Sequence, residues 1–205
     1  MLKKIISGGQ TGYVKHHLNS HTVLYLLLVF LLSMSLLARV DQGALQAAID
    51  SAHSIQHGGW CPPGRQCEIG TIPPQFKLVE TSKDCYTETS PPRSMRTFLN
   101  VRDSDGTLIL IDDTGTSCSR GTAFTIEQAQ LLNRPCMTCN DGSRNDVEKV
   151  INWIRKNKIQ SLNVAGPSER EKPGVYHQAY QFISQLLEIM HLSGFESRVN
   201  ALSSF

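Results

Sequence analysis

Hydrophobic and polar positions fall into three patterns along the chain. A continuous apolar run at Thr107–Ile111 predicts a strand buried on both faces, and Leu2–Ile6, Phe76–Thr81, Pro135–Thr138 and Ser161–Ala165 read as further strands. Helical spacing governs Val40–Asp50, where Ala44, Leu45, Ala48, Ile49 and Ala52 share one face, and Asp41 reads as its N-cap. It recurs from Arg93 to about Asn100, through Phe124–Leu132, in Val147–Lys156 and in Val175–Met190. The third pattern is Val23–Ala38 (VLYLLLVFLLSMSLLA), an apolar block with no charge.

Strands alternating with helices predict an α/β fold with a mostly parallel sheet and helices on both faces. Its ligands are expected beyond the carboxyl ends of the strands. A single domain over residues 1–190 follows, interrupted by an apolar insert at 13–39. Residues 191–205 lack periodicity and read as a loosely held tail.

The apolar block conflicts with this arrangement. A helix of its length spans about 24 Å against a hydrocarbon core of ~30 Å, close enough to cross if its flanks snorkel. A signal-peptide core competes, although Leu36 fits poorly two positions before a cleavage at Ala38. A strand at Leu2–Ile6 cannot pair with strands beyond residue 40 across a bilayer, because its backbone groups would be orphaned in lipid. Either that strand lies outside the sheet, or the segment does not span, or it is absent from the mature protein.

Removing Tyr13–Arg39 joins the flanks as KKIISGGQTGVDQGALQAAIDSA, a strand, glycine turn and helix start. The segment therefore reads as an in-frame insertion, such as a retained intron, and a dominant transcript carrying its codons would refute that. His16, His17 and His21 fall within it and are incidental. The expected location is cytoplasmic, the alternative being membrane attachment through a single segment at about 22–38.

Composition narrows the classes of function. A net charge of +2 with no block of like charges argues against a nucleic-acid polymer as partner. Six cysteines in 205 residues do not make a disulfide scaffold, and Cys136-Met-Thr-Cys139 is the sole CxxC. With no second pair to complete a zinc site, it reads as a strand and its exit.

Three glycine-bearing segments are expected at carboxyl ends of strands: Gly8–Gly12, Gly121-Thr122 and Gly166-Pro167. Backbone N–H groups there, backed by helix N-termini, suit a phosphate. The first lacks the lysine of a P-loop and does not match G-x-G-x-x-G, and no nucleophile elbow or HExxH occurs. Arg65 and Arg96 are further cations that could reach an anion, Arg96 from a helix facing the cleft.

Several motifs in order, KIISGGQTG…VDQGAL, HGGWCPPGR, NVRDSDGTLIL, GTAFT, LNVAGP and PGVY, resemble the putative molybdenum carrier family, circularly permuted YpsA-like proteins of the SLOG superfamily. The likeness runs from Leu2 to about Leu187 apart from Tyr13–Arg39. It implies a Rossmann-like fold binding a nucleotide or nucleotide-derived ligand, with molybdenum cofactor (molybdopterin) the ligand the name suggests. By motif, Gly8, Gly9, Gln10, Thr11, Gly12 and Asp41 would form the first ligand loop. Asn100, Arg102, Asp103 and Asp105 come from NVRDSDG, Gly121 and Thr122 from the second loop, Gly166 and Pro167 from the third. Arg120 stands where the family has a glycine, so it either crowds the backbone or supplies a cation.

The resemblance therefore implies a carrier of a small phosphorylated ligand, with homo-oligomerisation left open. A nucleotide hydrolase using Asp103 or Asp105, and a membrane-tethered protein if the insert is genuine, are the alternatives.

Overall fold

The computed structural model describes residues 39–52, 55–67, 70–72, 74–82, 92–111, 119–139, 144–192 and 200–203. The predicted strand at Leu2–Ile6, the first glycine loop Gly8–Gly12 and the apolar segment through Ala38 lie outside them. Among the described residues, no helix is long and apolar enough to cross a membrane.

Among the described residues, five α-helices and eight strands follow in chain order: α1 Val40–Asp50, β1 His57–Cys61, β2 Gln66–Cys67, β3 Gly70–Thr71, β4 Leu78–Glu80, α2 Pro92–Arg102, β5 Gly106–Leu110, α3 Arg120–Leu131, β6 Cys136–Cys139, α4 Arg144–Lys156, β7 Ser161–Ala165, α5 Val175–Leu192 and β8 Asn200–Ser203. Six strands form one sheet in the order β4-β1-β8-β7-β5-β6. All its pairings are parallel. Strands β2 and β3 make a small antiparallel ribbon. This is the parallel α/β arrangement that the alternation predicts, and the Rossmann-like fold that the resemblance implies.

The central strands carry the apolar runs expected of strands covered on both sides: every residue of β5 is buried. Leu108, Leu110, Leu162 and Val164 share a core with α1, α4 and α5. Helices α2 and α3 pack on the other face, α2 against β1 and α3 against β5 and β6. Cys136 and Cys139 both lie in β6, so Cys139 is the last residue of the strand and not its exit.

Helix α1 departs from a one-sided amphipathic helix. It is buried nearly all round, because it is wedged between the sheet and α5. Gly43 makes the wedge feasible: a Cβ there would run into the Tyr176 carbonyl oxygen and lie 3.1 Å from the Tyr180 nitrogen. The small residues of VDQGALQAA are thus a helix–helix contact written into the sequence.

Two boundaries differ from the sequence reading. Arg39 belongs with the domain, not with the insert: it is the extended N-cap residue of α1, its carbonyl takes the Gly43 N–H, and it bridges Ser168. Asp41 accordingly sits inside the first turn rather than at the cap. The tail reading of 191–205 also changes, since α5 runs to Leu192 and residues 200–203 form β8 between β1 and β7. Asn-Ala-Leu-Ser has one large apolar residue and no alternation, so its strand state comes from two neighbours supplying backbone partners.

Candidate functional site

The sheet topology fixes where a crevice can open. The helix after β5 (α3) lies on one face, and the helix after the neighbouring β7 (α5) lies on the other. Adjacent strands sending their helices to opposite faces leave a gap at their carboxyl ends, the usual ligand position in open α/β sheets.

A cavity of about 700 Å³ lies there. It is lined by Arg39 before α1, by Ser94, Arg96 and Thr97 from the first turns of α2, by Ser119–Thr122, Phe124 and Thr125 from the start of α3, by Ala165 and Gly166 after β7, and by Glu171. Three guanidinium groups, of Arg39, Arg96 and Arg120, therefore converge on one cavity from segments far apart in sequence.

The α3 N-terminus is formed by local hydrogen bonding. Ser119 is the N-cap residue, its Oγ accepting the Thr122 N–H at 3.2 Å and lying 3.1 Å from Thr122 Oγ1. Thr125 Oγ1 donates to the Gly121 carbonyl at 2.9 Å. Gly121 and Thr122 thus belong to the first helical turn and not to a preceding loop, because the helix begins at Arg120, directly after its Ser119 cap. A side chain at position 121 would meet nothing nearer than Ser119 Oγ at 3.8 Å, so the backbone is open toward the cavity.

Gly166 and Pro167 serve a different purpose. A Cβ on Gly166 would strike the Leu110 carbonyl oxygen and lie 2.8 Å from Val40 Cγ2. The Pro167 carbonyl accepts the Val40 N–H at 3.4 Å. These residues seat α1 against the ends of β5 and β7, with Gly166 also forming cavity wall. The N-terminus of α5 beyond them is already occupied: the buried Glu169 carboxylate accepts the Gly174 N–H at 2.5 Å and the Tyr176 N–H at 2.7 Å.

Asp41, in the first turn of α1 two residues after Arg39, is 2% exposed. Its Oδ1 accepts the Gln42 N–H at 2.9 Å, whereas Oδ2 finds no hydrogen-bond partner. Burial pushes its pKa up to about 6, although the Arg39 and Arg96 charges and the Gln42 N–H pull the other way.

The NVRDSDG residues do not line the cavity. Asn100 is fully buried and brackets the backbone of β1, its Oδ1 accepting Trp60 N–H at 2.8 Å and its Nδ2 donating to the Trp60 carbonyl at 3.2 Å. Asp103 accepts from the Trp60 indole at 2.8 Å and from Arg102 at 2.6 and 2.9 Å. That Arg102 hydrogen bond holds the Asp103 carboxyl below its usual range. Asp105 Oδ2 accepts the Gln160 and Ser161 N–H groups at 3.0 and 2.8 Å, closing the start of β7 at the amino edge of the sheet. Arg65, the other cation singled out, is tied to the carbonyls of Ile72, Phe76 and Leu78 and straps its own loop.

Sequence reasoning therefore placed Gly121, Thr122 and Gly166 at the cavity and flagged Arg96. It missed Arg39, assigned to the insert, and Ser119, although a serine just before a helical stretch is an N-cap signal. Gly8–Gly12 lie outside the described residues.

Residues 38–187 match the circularly permutated YpsA SLOG family, well over half of the chain. The chain is also similar to the crystal structure of a putative molybdenum carrier protein from Syntrophus aciditrophicus SB, at 34% identity and TM-score 0.60, over 76% of this chain and 89% of that one. No functionally curated protein matches it. With the family match covering the domain that carries the cavity, the chain belongs to the circularly permutated YpsA SLOG family.

Proposed function

We propose that this protein binds and carries a small phosphorylated, nucleotide-derived molecule in the cavity at the carboxyl ends of β5 and β7. The observation that carries this reading is the convergence of Arg39, Arg96 and Arg120 with the amide end of a capped helix on one cavity. Guanidinium forks match phosphate oxygens, and a helix N-terminus adds unsatisfied N–H groups and a favourable dipole. At about 700 Å³ the cavity is large enough for a nucleotide-sized ligand.

The similar protein from Syntrophus is named for molybdenum carriage, and molybdenum cofactor is one candidate cargo here. The residues fit its anionic parts. Arg39, Arg96, Arg120 and the Gly121-Thr122 amides would hold a phosphate or an oxyanion. Among the described residues, no thiol or imidazole lines the cavity and no cluster of His, Cys, Asp and Glu could hold a metal ion. The described lining residues would thus grip cargo by its anionic groups.

A hydrolase built on Asp103 or Asp105 gains no support from the geometry, since both carboxylates are engaged by internal donors away from the cavity. Calorimetric titration of the full chain with a panel of nucleotides, dinucleotides and molybdenum cofactor is the test. Saturable binding of a phosphorylated member without product formation is expected; a flat response across the panel refutes the proposal.

A further inference from the structure

Among the described residues that line the cavity, Phe124 is the single aromatic and the single large apolar side chain; the others are charged, hydroxyl-bearing or small. The residue is half-buried. Helix α3 packs through Thr122, Thr125 and Ala129, which gather on one face at 100° per residue, and Phe124 lies well round the helix from them. The ring belongs to neither apolar core of the described residues and is not among the half-buried side chains packed against them. Packing on those cores therefore does not account for a large apolar ring at this position.

Its spacing relates it to the anion-holding groups. Arg120 and Phe124 are four residues apart, neighbours on one side of α3 with Cβ atoms about 5–6 Å apart, and both line the cavity. An anion held by Arg120 and the Gly121-Thr122 amides thus has an aromatic ring about one helical turn away. Ala165 and Gly166 add no bulk to the β7 wall of the same cavity. A flat heterocycle joined to a phosphate through a sugar could cover the ring, whereas a phosphosugar without a base would leave it bare. Stacking of this kind tolerates different bases, because each has a π-face.

We infer that Phe124 is the specificity-determining residue of this cavity, its ring stacking on the aromatic heterocycle of a ligand whose phosphate is held at Arg120 and the start of α3. The inference rests on the binding function proposed above and adds the ligand class. Phosphorylated compounds that carry a purine, pyrimidine or pterin ring are selected over phosphosugars and over inorganic phosphate.

The test is calorimetric titration of the full chain with the four ribonucleoside monophosphates and with ribose 5-phosphate, which keeps sugar and phosphate and lacks the base. Wild type is expected to bind at least one of the nucleotides about fivefold or more tightly than ribose 5-phosphate. Phe124→Ala is expected to erase that preference while its affinity for ribose 5-phosphate stays within about twofold of wild type. Phe124→Leu, which keeps apolar bulk without a ring, gives the same reading where the alanine variant does not fold. Phe124→Trp is expected to retain the preference, with fluorescence quenched by the nucleotide and not by ribose 5-phosphate. Equal affinity of wild type for nucleotides and ribose 5-phosphate overturns the inference and leaves the binding function intact. So does a loss in Phe124→Ala and Phe124→Leu that is equal for both kinds of ligand, or no loss for either. Absence of binding to every probe overturns the binding function and this inference with it.

Discussion

Replacing Asp41 by asparagine keeps its shape and removes a buried charge, so stability should change with pH in a defined direction. The folded-state pKa of Asp41 is about 6, against 3.8 for an unperturbed aspartate. A raised folded pKa means that the neutral form is the one the fold favours. The associated stability is present below the unfolded value and is lost as pH climbs through the folded one. Two pKa units at about 1.4 kcal/mol each amount to about 3 kcal/mol. The group is 2% exposed, so solvent screening does not reduce this much. Urea denaturation of wild type and Asp41→Asn should therefore diverge with pH. The variant's relative stability rises from a baseline below about pH 4 to about 3 kcal/mol above that baseline near pH 7.5, most of the change falling between. A stability difference independent of pH over that range would show that Asp41 is not held in a charge-averse environment, and the reasoning would fail.

Three further substitutions separate packing from binding. Gly43→Ala drives a Cβ into the α5 backbone and should cost about 2 kcal/mol or more, read as a lowered urea midpoint. Gly121→Ala meets only open space and should leave stability unchanged or raised by up to about 1 kcal/mol, while weakening anion binding if the α3 amides are approached closely. Asn100→Ala strands the Trp60 N–H and carbonyl and should destabilise by about 2–3 kcal/mol, with anion affinity of the folded protein unaltered.

Most strands and helices between residues 40 and 192 were legible because their apolar periods match their burial, but β1, with its glycine pair, and the short β2–β3 ribbon carry no such period and were not. Thr107–Ile111 read as a doubly covered strand and is nearly that, and Ser161–Ala165 read as a strand and is one. β8 was not legible, because four residues with one large apolar side chain carry no period; the neighbouring strands specify it. Among site residues, Gly121 and Gly166 both line the cavity, and close packing against Leu110 and Val40 also requires the missing Cβ at Gly166. NVRDSDG looked like ligand chemistry because Asn, Asp and Arg are also the residues that bracket backbones and close turns. Only hydrogen-bond partners tell the two uses apart. The convergence of Arg39, Arg96 and Arg120 had no sequence signal, since it depends on β5 and β7 sending their helices to opposite faces.

The claim that the anion site lies at the carboxyl ends of β5 and β7 meets its most direct test in two arginines at different places in the fold. Arg120 lines the cavity, whereas Arg102, at the far end of α2, pairs with Asp103 outside it. Affinity for a phosphorylated ligand that wild type binds should fall at least about tenfold in Arg120→Ala and stay within about twofold of wild type in Arg102→Ala. Loss of binding in Arg102→Ala, with Arg120→Ala unaffected, would place the site elsewhere and contradict the account.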